Sequence, residues 1–162
     1  MKHSKGELDR VIRLRTLRIT DVWMEKTGIN LSGLVILAEA ATGIYAAIPA
    51  MLLKAGASHV YAWSRDSAYG IAQKGIDEAK RYIIDAGQPS NRVTFEANTR
   101  PKEQVSLANI IMNNGHVRPI DKNLLEGARH REATVALMYD AWEARQNDVD
   151  LTVCRELGIG VA

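Results

Sequence analysis

Residues 31–66 contain the pattern that most constrains the fold, because a strand, a turn of small residues, an apolar helix and a second strand follow one another directly. Gly33–Ala38 is a short apolar run, typical of a parallel strand covered on both faces. Small residues over Ala40–Gly43 lead into a helix that extends to Lys54, and a second strand is predicted over Ser58–Trp63. Two parallel strands joined by one helix form a right-handed crossover. This stretch therefore predicts an α/β fold.

The rest of the chain continues the alternation. Later helices are predicted over 68–85, 102–107, 122–127 and 148–157, and later strands over 92–96, 108–112, 133–138 and 159–162. Apolar residues at helical spacing over Glu7–Lys26 predict a leading helix outside this repeat. We therefore expect a doubly wound, mainly parallel sheet of about six strands in a domain over residues 31–162, with a helical extension over residues 1–30.

Composition excludes several classes of function. The chain has 162 residues, of which 46% are hydrophobic, which suits one domain with a sizeable core. A net charge of only +2 gives no field of the kind that binds nucleic acid. Cys154 is the only cysteine, and no Cys/His cluster has metal-ligand spacing, so we expect no disulfide and no metal site. Without an apolar signal sequence or a membrane-length apolar run, we expect a cytoplasmic protein.

The turn after the first strand is the first candidate site. Ligands of open α/β sheets lie at the carboxyl ends of the strands, which here means beside Glu39–Gly43. Unpaired N–H groups at a helix start attract anions, and the small residues Ala41, Thr42 and Gly43 would allow close approach. In the dinucleotide fingerprint G-x-G-x-x-G, Ala41, Gly43 and Ala46 would occupy the glycine positions. Pro49 favours a kink in the following helix unless the helix begins near it.

Two further polar tips follow predicted strands. Ser64, Arg65 and Asp66 come after the second strand, where an acidic side chain would bind the two ribose hydroxyls and Ser with Arg would accept a 2′-phosphate. The alternative is a polar turn in which Asp66 or Ser67 caps the next helix. After the fourth strand, Asn113 and Asn114 offer hydrogen bonds to a ribose or a carboxamide. Gly115 leaves room for a ring, and His116 is the candidate for proton transfer.

Together these segments resemble a known family. LAEAATG after the first strand, SRDS after the second, NNGHVRPID after the fourth and DVDLTVCRELGIGVA at the end resemble the NAD(P)-binding Rossmann domain of the 2-hydroxyacid dehydrogenase and adenosylhomocysteinase group. The resemblance covers roughly residues 31–162. It implies that NADP or NAD is the cofactor, with the pyrophosphate at Ala41–Ile44. The ribose would lie at Ser64–Asp66 and the nicotinamide beside Asn114–His116. The order Ser64-Arg65 before Asp66 favours NADP.

Other interpretations stay open. Enzymes of that group bind substrate between this domain and a second domain, so the chain is expected to act as a module, a fragment or half of a shared site. We therefore expect a homo-oligomer or a partner that supplies a substrate domain. The stretch 39–66 is also similar to the first motif of S-adenosylmethionine-dependent methyltransferases, with Glu39 and Asp66 as the acidic residues. A third possibility is a nucleotide-binding regulatory subunit without chemistry.

Overall fold

The computed structural model describes residues 5–128, 133–139, 143, 145 and 147–162, so the first four residues of the predicted extension lie outside it. The strands are Val35–Glu39 (β1), His59–Ser64 (β2), Val93–Ala97 (β3), Ile110–Met112 (β4), Thr134–Ala136 (β5) and Gly160–Val161 (β6). The α-helices are Lys5–Thr27 (α1), Ile48–Lys54 (α2), Ala72–Asp85 (α3), Lys102–Val105 (α4), Lys122–Leu125 (α5) and Leu151–Leu157 (α6). Short 3₁₀ segments occupy Gly43–Ala47, Ser90–Arg92 and Glu126–Ala128.

The six strands form one sheet in the order β3-β2-β1-β4-β5-β6, and every pairing in it is parallel. The first two strands lie side by side, with Val35 opposite His59 and Glu39 opposite Trp63. On its other edge β1 pairs with β4, where Leu37 lies opposite Ile111. The chain thus reverses its direction of travel across the sheet at β1, which is the doubly wound arrangement. The predicted α/β fold is confirmed.

Two apolar clusters cover the two faces of the sheet. Ile36 and Ala38 of β1 belong to one cluster, which also contains the buried side chains of α2 and α3. Leu37 belongs to the other, with the apolar residues of α4, α5 and α6. Successive side chains of a strand point to opposite faces, so the unbroken apolar run in β1 reflects burial on both sides.

The structure differs from the sequence prediction mainly at helix starts. The segment after β1 begins as a 3₁₀ helix at Gly43, and α2 begins only at Ile48. Pro49 therefore lies in the first turn of α2, where its missing N–H costs no helical hydrogen bond. The helix predicted from residue 68 starts at Ala72, because residues 66–71 form a separate turn in which Ser67 and Gly70 exchange main-chain hydrogen bonds.

Helix α1 packs on the sheet domain through one side. Leu17 and Thr20 are buried there, and Arg13 donates a hydrogen bond to Asp85 at the end of α3 at 2.7 Å. Lys54 at the end of α2 forms an ion pair with Asp21 of α1 at 2.9 Å. None of the helices in the described ranges combines the length and apolar character needed to cross a bilayer.

Candidate functional site

A cleft of about 500 Å³ opens at the carboxyl ends of β1 and β4, where the strand order reverses. We call it the switch-point cleft. It is lined by Glu39, Ala41, Thr42, Tyr45, Tyr69, Asn113, Asn114, Gly115, His116, Arg118, Met138 and Arg145. Open α/β sheets bind their ligands in a crevice at this position. The cleft therefore follows from the topology, while its chemistry depends on the side chains at the strand tips.

Two asparagines directly after β4 leave polar atoms without a partner. Asn113 is 1% exposed and Asn114 is 4% exposed. Among the described residues, no hydrogen-bond partner meets Oδ1 or Nδ2 of Asn113, or Oδ1 of Asn114. Buried polar groups of this kind are rare in native proteins, because each one costs about 1–3 kcal/mol when unpaired. Asn113 thus offers an NH2 donor group and a carbonyl acceptor in the wall of the cleft.

Glu39 places a buried carboxyl group at the tip of β1. It is 3% exposed, and its Oε2 accepts a hydrogen bond from the main-chain N–H of His116 at 2.9 Å. Burial raises the pKa of this carboxyl group above its ordinary value, although the His116 N–H and the charges of Arg118 and Arg65 oppose the shift. Arg118 itself forms an ion pair with Asp148 at 2.5 Å. An acid that holds its proton more tightly than usual therefore lies in the floor of the cleft.

The tips of β2 and β4 are joined by Arg65. Its main-chain N–H donates to Nδ1 of His116 at 3.2 Å, and its Nη2 donates to the carbonyl of Gly115 at 3.3 Å. Because Nδ1 accepts a hydrogen bond, the proton of the neutral imidazole is on Nε2. Burial and the charge of Arg65 lower the pKa of His116, which favours the neutral form. His116 thus combines a fixed tautomer with a place in the cleft.

The other two residues of the β2 tip are engaged in local structure. Ser64 is 1% exposed, and its hydroxyl donates to the carbonyl of Ala72 at 3.3 Å. Oδ1 of Asp66 accepts from the N–H of Ala72 at 2.8 Å, while the N–H of Asp66 donates to Oδ1 of Asn98 at 2.8 Å. Asp66 therefore supports the start of α3, as the polar-turn alternative predicts.

The turn after β1 presents its amides in two directions. Gly43, with φ at +71°, donates its N–H to Oε2 of Glu78 at 2.7 Å, on the side that faces α3. By contrast, Ala41 and Thr42 line the switch-point cleft, and their N–H groups make no hydrogen bond within the described part of the chain. The N–H of Gly43 is therefore already paired with the carboxylate of Glu78.

The structure gathers some of the predicted site residues and separates others. Glu39, Ala41, Thr42, Asn114, Gly115 and His116 line the cleft together. Ile44 faces away from the cleft toward α1, and Gly43 also lies on that side. The prediction did not assign Tyr45, Tyr69, Arg118, Met138 or Arg145 to the site. Arg118 was within reach of sequence reasoning, since it belongs to the same polar tip as His116. The sequence around Tyr45 and Tyr69 does not indicate a binding role, because the conformation of the turns brings these side chains to the cleft.

The residues of the cleft suit half of a nicotinamide dinucleotide. Asn113 and Asn114 provide unpaired donors and acceptors for a carboxamide or a ribose, and the amides of Ala41 and Thr42 suit an anionic group. On the far side of β1, Ser64 and Asp66 already hold the start of α3. The fit is therefore good beside β4. On the β2 side, only the exposed side chain of Arg65 and the second carboxylate oxygen of Asp66 remain for a ribose or phosphate.

Comparison with known proteins finds a likeness in structure only. No protein-family model and no curated protein sequence matches the chain. Among solved structures, it is similar to shikimate 5-dehydrogenase from Listeria monocytogenes in complex with shikimate and NAD, with a TM-score of 0.54 and 13% identity over 92% of this chain and 50% of that one.

Two other solved structures give the same result. Dipicolinate synthase A chain from Bacillus subtilis has a TM-score of 0.54 and 14% identity over 95% of this chain and 47% of that one. Quinate dehydrogenase from Corynebacterium glutamicum in complex with NAD has a TM-score of 0.51 and 16% identity over 94% and 49%. The chain spans about half the length of these enzymes. At such identities, the likeness shows that the chain has a Rossmann fold.

Proposed function

We propose that this chain is a nicotinamide-dinucleotide-binding Rossmann domain of an oxidoreductase, of the type found in 2-hydroxyacid dehydrogenases and adenosylhomocysteinases. The observation that carries the proposal is the pair Asn113 and Asn114, whose buried amide atoms lack partners in the switch-point cleft. These amide groups already lost their water when the chain folded. A ligand that forms hydrogen bonds with them therefore adds no desolvation cost for these groups. Three enzymes of the same fold, two of them solved with NAD, support the choice of cofactor.

Different residues of the cleft hold different parts of the cofactor. Asn113 and Asn114 bind the nicotinamide half, while Gly115 leaves space beside Glu39. The amides of Ala41 and Thr42 receive phosphate oxygens. When bound, the cofactor supplies hydride transfer. His116, with its proton on Nε2, holds the proton that a substrate carbonyl would require.

NADP is the proposed form of the cofactor. The side chain of Arg65 is exposed at the tip of β2, where a 2′-phosphate would lie. Replacing Arg65 by Ala should weaken NADP binding by about tenfold and NAD binding much less, since only NADP carries the additional phosphate. Lys74 on α3 is also exposed, and Lys74→Ala is the matched control that removes a charge nearby. Equal losses for both cofactors in Arg65→Ala would remove the 2′-phosphate assignment.

We propose that the substrate domain lies outside residues 1–162. The similar enzymes are about twice as long, so the missing half belongs either to a partner or to further sequence of the same protein. The cleft opens to solvent at Tyr45 and Tyr69, which are 58% and 84% exposed. These two tyrosines are the side chains that a substrate domain would cover.

A ligand panel separates this proposal from its alternatives. NAD, NADP and S-adenosylmethionine should be tested one at a time by thermal shift, with AMP as a control for binding of adenosine alone. A nicotinamide dinucleotide at 100 times its Kd stabilises the folded chain by about 2.7 kcal/mol, a shift of several degrees in Tm. Stabilisation by S-adenosylmethionine alone would favour a methyltransferase-like domain. If none of the four compounds shifts Tm, a regulatory or interaction role remains.

A further inference from the structure

Arg65 links the tips of two strands that lie on opposite sides of β1. Its main-chain N–H donates to Nδ1 of His116 at 3.2 Å, and its Nη2 donates to the carbonyl of Gly115 at 3.3 Å. Arg65 follows β2 and His116 follows β4, so both hydrogen bonds cross the carboxyl end of β1. One residue of the β2 tip therefore contacts the candidate proton donor of the β4 tip.

His116 is held by two different strand tips. Its main-chain N–H donates to Oε2 of Glu39, the last residue of β1, at 2.9 Å. Its ring accepts the N–H of Arg65 beyond the end of β2. Hydrogen bonds of this kind fix the orientation of a side chain that acts on a ligand. The direction in which Nε2 of His116 points therefore depends on the position of Arg65.

The guanidinium of Arg65 keeps free capacity for a ligand. It carries five N–H groups, and within the described part of the chain its one hydrogen bond is to the carbonyl of Gly115. The side chain is exposed at the β2 tip. A phosphate can accept hydrogen bonds from the remaining N–H groups while the bond to Gly115 persists. The same side chain can thus contact a ligand beside β2 and the main chain beside β4 at once.

We propose that Arg65 is a positioning residue that couples the 2′-phosphate of NADP to His116. This inference rests on the proposed function, in which Arg65 receives the 2′-phosphate and His116 holds the proton for the substrate. A phosphate on one side of the guanidinium changes the charge that His116 experiences on the other side. Selection of the cofactor and the protonation of His116 then depend on one residue.

The charges around His116 determine the direction of this coupling. Those that face it or its partners are Glu39, Arg65, Asp66, Arg118 with its partner Asp148, and Arg145, together with the phenols of Tyr45 and Tyr69. Burial and the charge of Arg65 lower the pKa of His116. A phosphate beside Arg65 offsets that positive charge, so the pKa of His116 rises and the imidazolium form becomes more populated. The imidazolium is the form that donates a proton to a carbonyl group.

Proton NMR of the histidine rings measures the coupling directly. The chain has four histidines, and His116→Gln identifies the signal of His116 by its loss. The pKa of His116 should be higher in the complex with NADP than in the complex with NAD, because the two cofactors differ only in the 2′-phosphate. Phosphorus NMR of the same samples follows the ionisation of that phosphate.

His59 is an internal control for this measurement. Its ring lies at the start of β2, at the other end of the strand from Arg65, where Nε2 is 2.9 Å from the hydroxyl of Thr94. A phosphate at the β2 tip should leave its environment unchanged. The pKa of His59 should therefore be the same in both complexes and in every variant that keeps the fold.

Substitutions of Arg65 separate its charge from a general structural effect. In the ligand-free chain, Arg65→Ala should raise the pKa of His116, because a positive neighbour is lost. At cofactor concentrations that saturate the variant, its NADP and NAD complexes should no longer differ. Arg65→Lys keeps the charge and should restore a difference of the same sign. Lys74→Ala removes an exposed charge of α3 outside the cleft and should retain the full difference.

The results distinguish failure of the coupling from failure of the proposed cofactor. An identical pKa of His116 in the NADP and NAD complexes of the unmodified chain would overturn the coupling and leave the dinucleotide site in place. An unchanged pKa in ligand-free Arg65→Ala would also overturn it. Binding of neither dinucleotide to the unmodified chain would overturn the proposed function, and the coupling with it.

Discussion

Asn113 combines the position of a core residue with the chemistry of a binding residue. Its side chain is as buried as its apolar neighbours, yet both polar atoms lack partners among the described residues. Asn109, four residues earlier, shows the contrast, since its Oδ1 accepts the N–H of Val35 at 2.9 Å. Asn109 therefore has a structural role, whereas Asn113 is the candidate for ligand binding.

Asn113→Leu should stabilise the ligand-free chain, or leave its stability unchanged, because leucine has the same branched arrangement of side-chain heavy atoms and removes the unpaired polar atoms. Asn109→Leu should lower the free energy of unfolding by about 1–3 kcal/mol, because the N–H of Val35 then loses its partner. Thermal denaturation of both variants measures the difference. If Asn113→Leu is destabilised as strongly as Asn109→Leu, the polar atoms of Asn113 have a structural partner.

Glu39 makes stability depend on pH in a defined direction. Because burial raises its pKa in the folded state, the folded chain binds this proton more tightly than the unfolded chain does. Its stabilising contribution is complete below the unfolded pKa of about 4.5 and is lost as the pH rises through the folded-state pKa. The ionised carboxylate is thus the destabilising form.

Glu39→Gln should consequently raise Tm at pH 7–8, by a few degrees for a change near 1 kcal/mol, and this gain should shrink toward pH 4.5. Glutamine keeps an oxygen for the N–H of His116 while it removes the charge. Glu126→Gln, at an exposed position, controls for the loss of a surface carboxylate. A lower Tm for Glu39→Gln at neutral pH would mean that Arg118 and Arg65 stabilise the carboxylate more than burial penalises it.

At the scale of elements, the contact between α3 and the turn after β1 decides how that turn can bind an anion. Gly75 of α3 lies so close that an added Cβ would come within 2.5 Å of the carbonyl oxygen of Ala40. This packing brings Glu78 to the N–H of Gly43. The turn therefore already holds a carboxylate from its own chain on one side.

Glu78→Ala tests whether this carboxylate competes with the ligand. The variant should lose about 1 kcal/mol of stability, because the N–H of Gly43 exchanges a charged partner for water. Its affinity for a nicotinamide dinucleotide should stay unchanged, because Gly43 lies on the side away from the cleft and the phosphates are assigned to the N–H groups of Ala41 and Thr42. Asp77→Ala removes the neighbouring, exposed carboxylate of the same helix and should change neither value. Several-fold tighter binding in Glu78→Ala alone would place a phosphate at the N–H of Gly43 instead.

Sequence patterns predicted the elements better than they predicted the turns. The apolar run of β1 and the spacing of the later segments were sufficient to predict six strands. A strand that is buried on both faces consists almost entirely of apolar residues, and such a run can be recognised in the sequence. The 3₁₀ start at Gly43 was not predictable in this way, since it depends on the approach of α3. The same holds for Arg65, whose hydrogen bonds to Gly115 and His116 join residues 50 and 51 positions apart.

At the scale of the molecule, the sheet topology determines where the candidate site lies. The switch-point cleft lies at the carboxyl ends of β1 and β4, where the topology gathers polar tips from distant segments. Helix α1 packs beside the first half of the domain, through the ion pairs of Arg13 with Asp85 and of Lys54 with Asp21. None of the described residues that line the cleft belongs to α1.

The central claim is that Asn113 and its neighbours receive a nicotinamide dinucleotide, and calorimetric titration tests it most directly. NAD and NADP should each be titrated into the unmodified chain and into Asn113→Leu. The account predicts binding of at least one dinucleotide to the unmodified chain, weakened at least about tenfold in Asn113→Leu. No binding of either dinucleotide at millimolar concentration, or equal affinity in the two proteins, would contradict it.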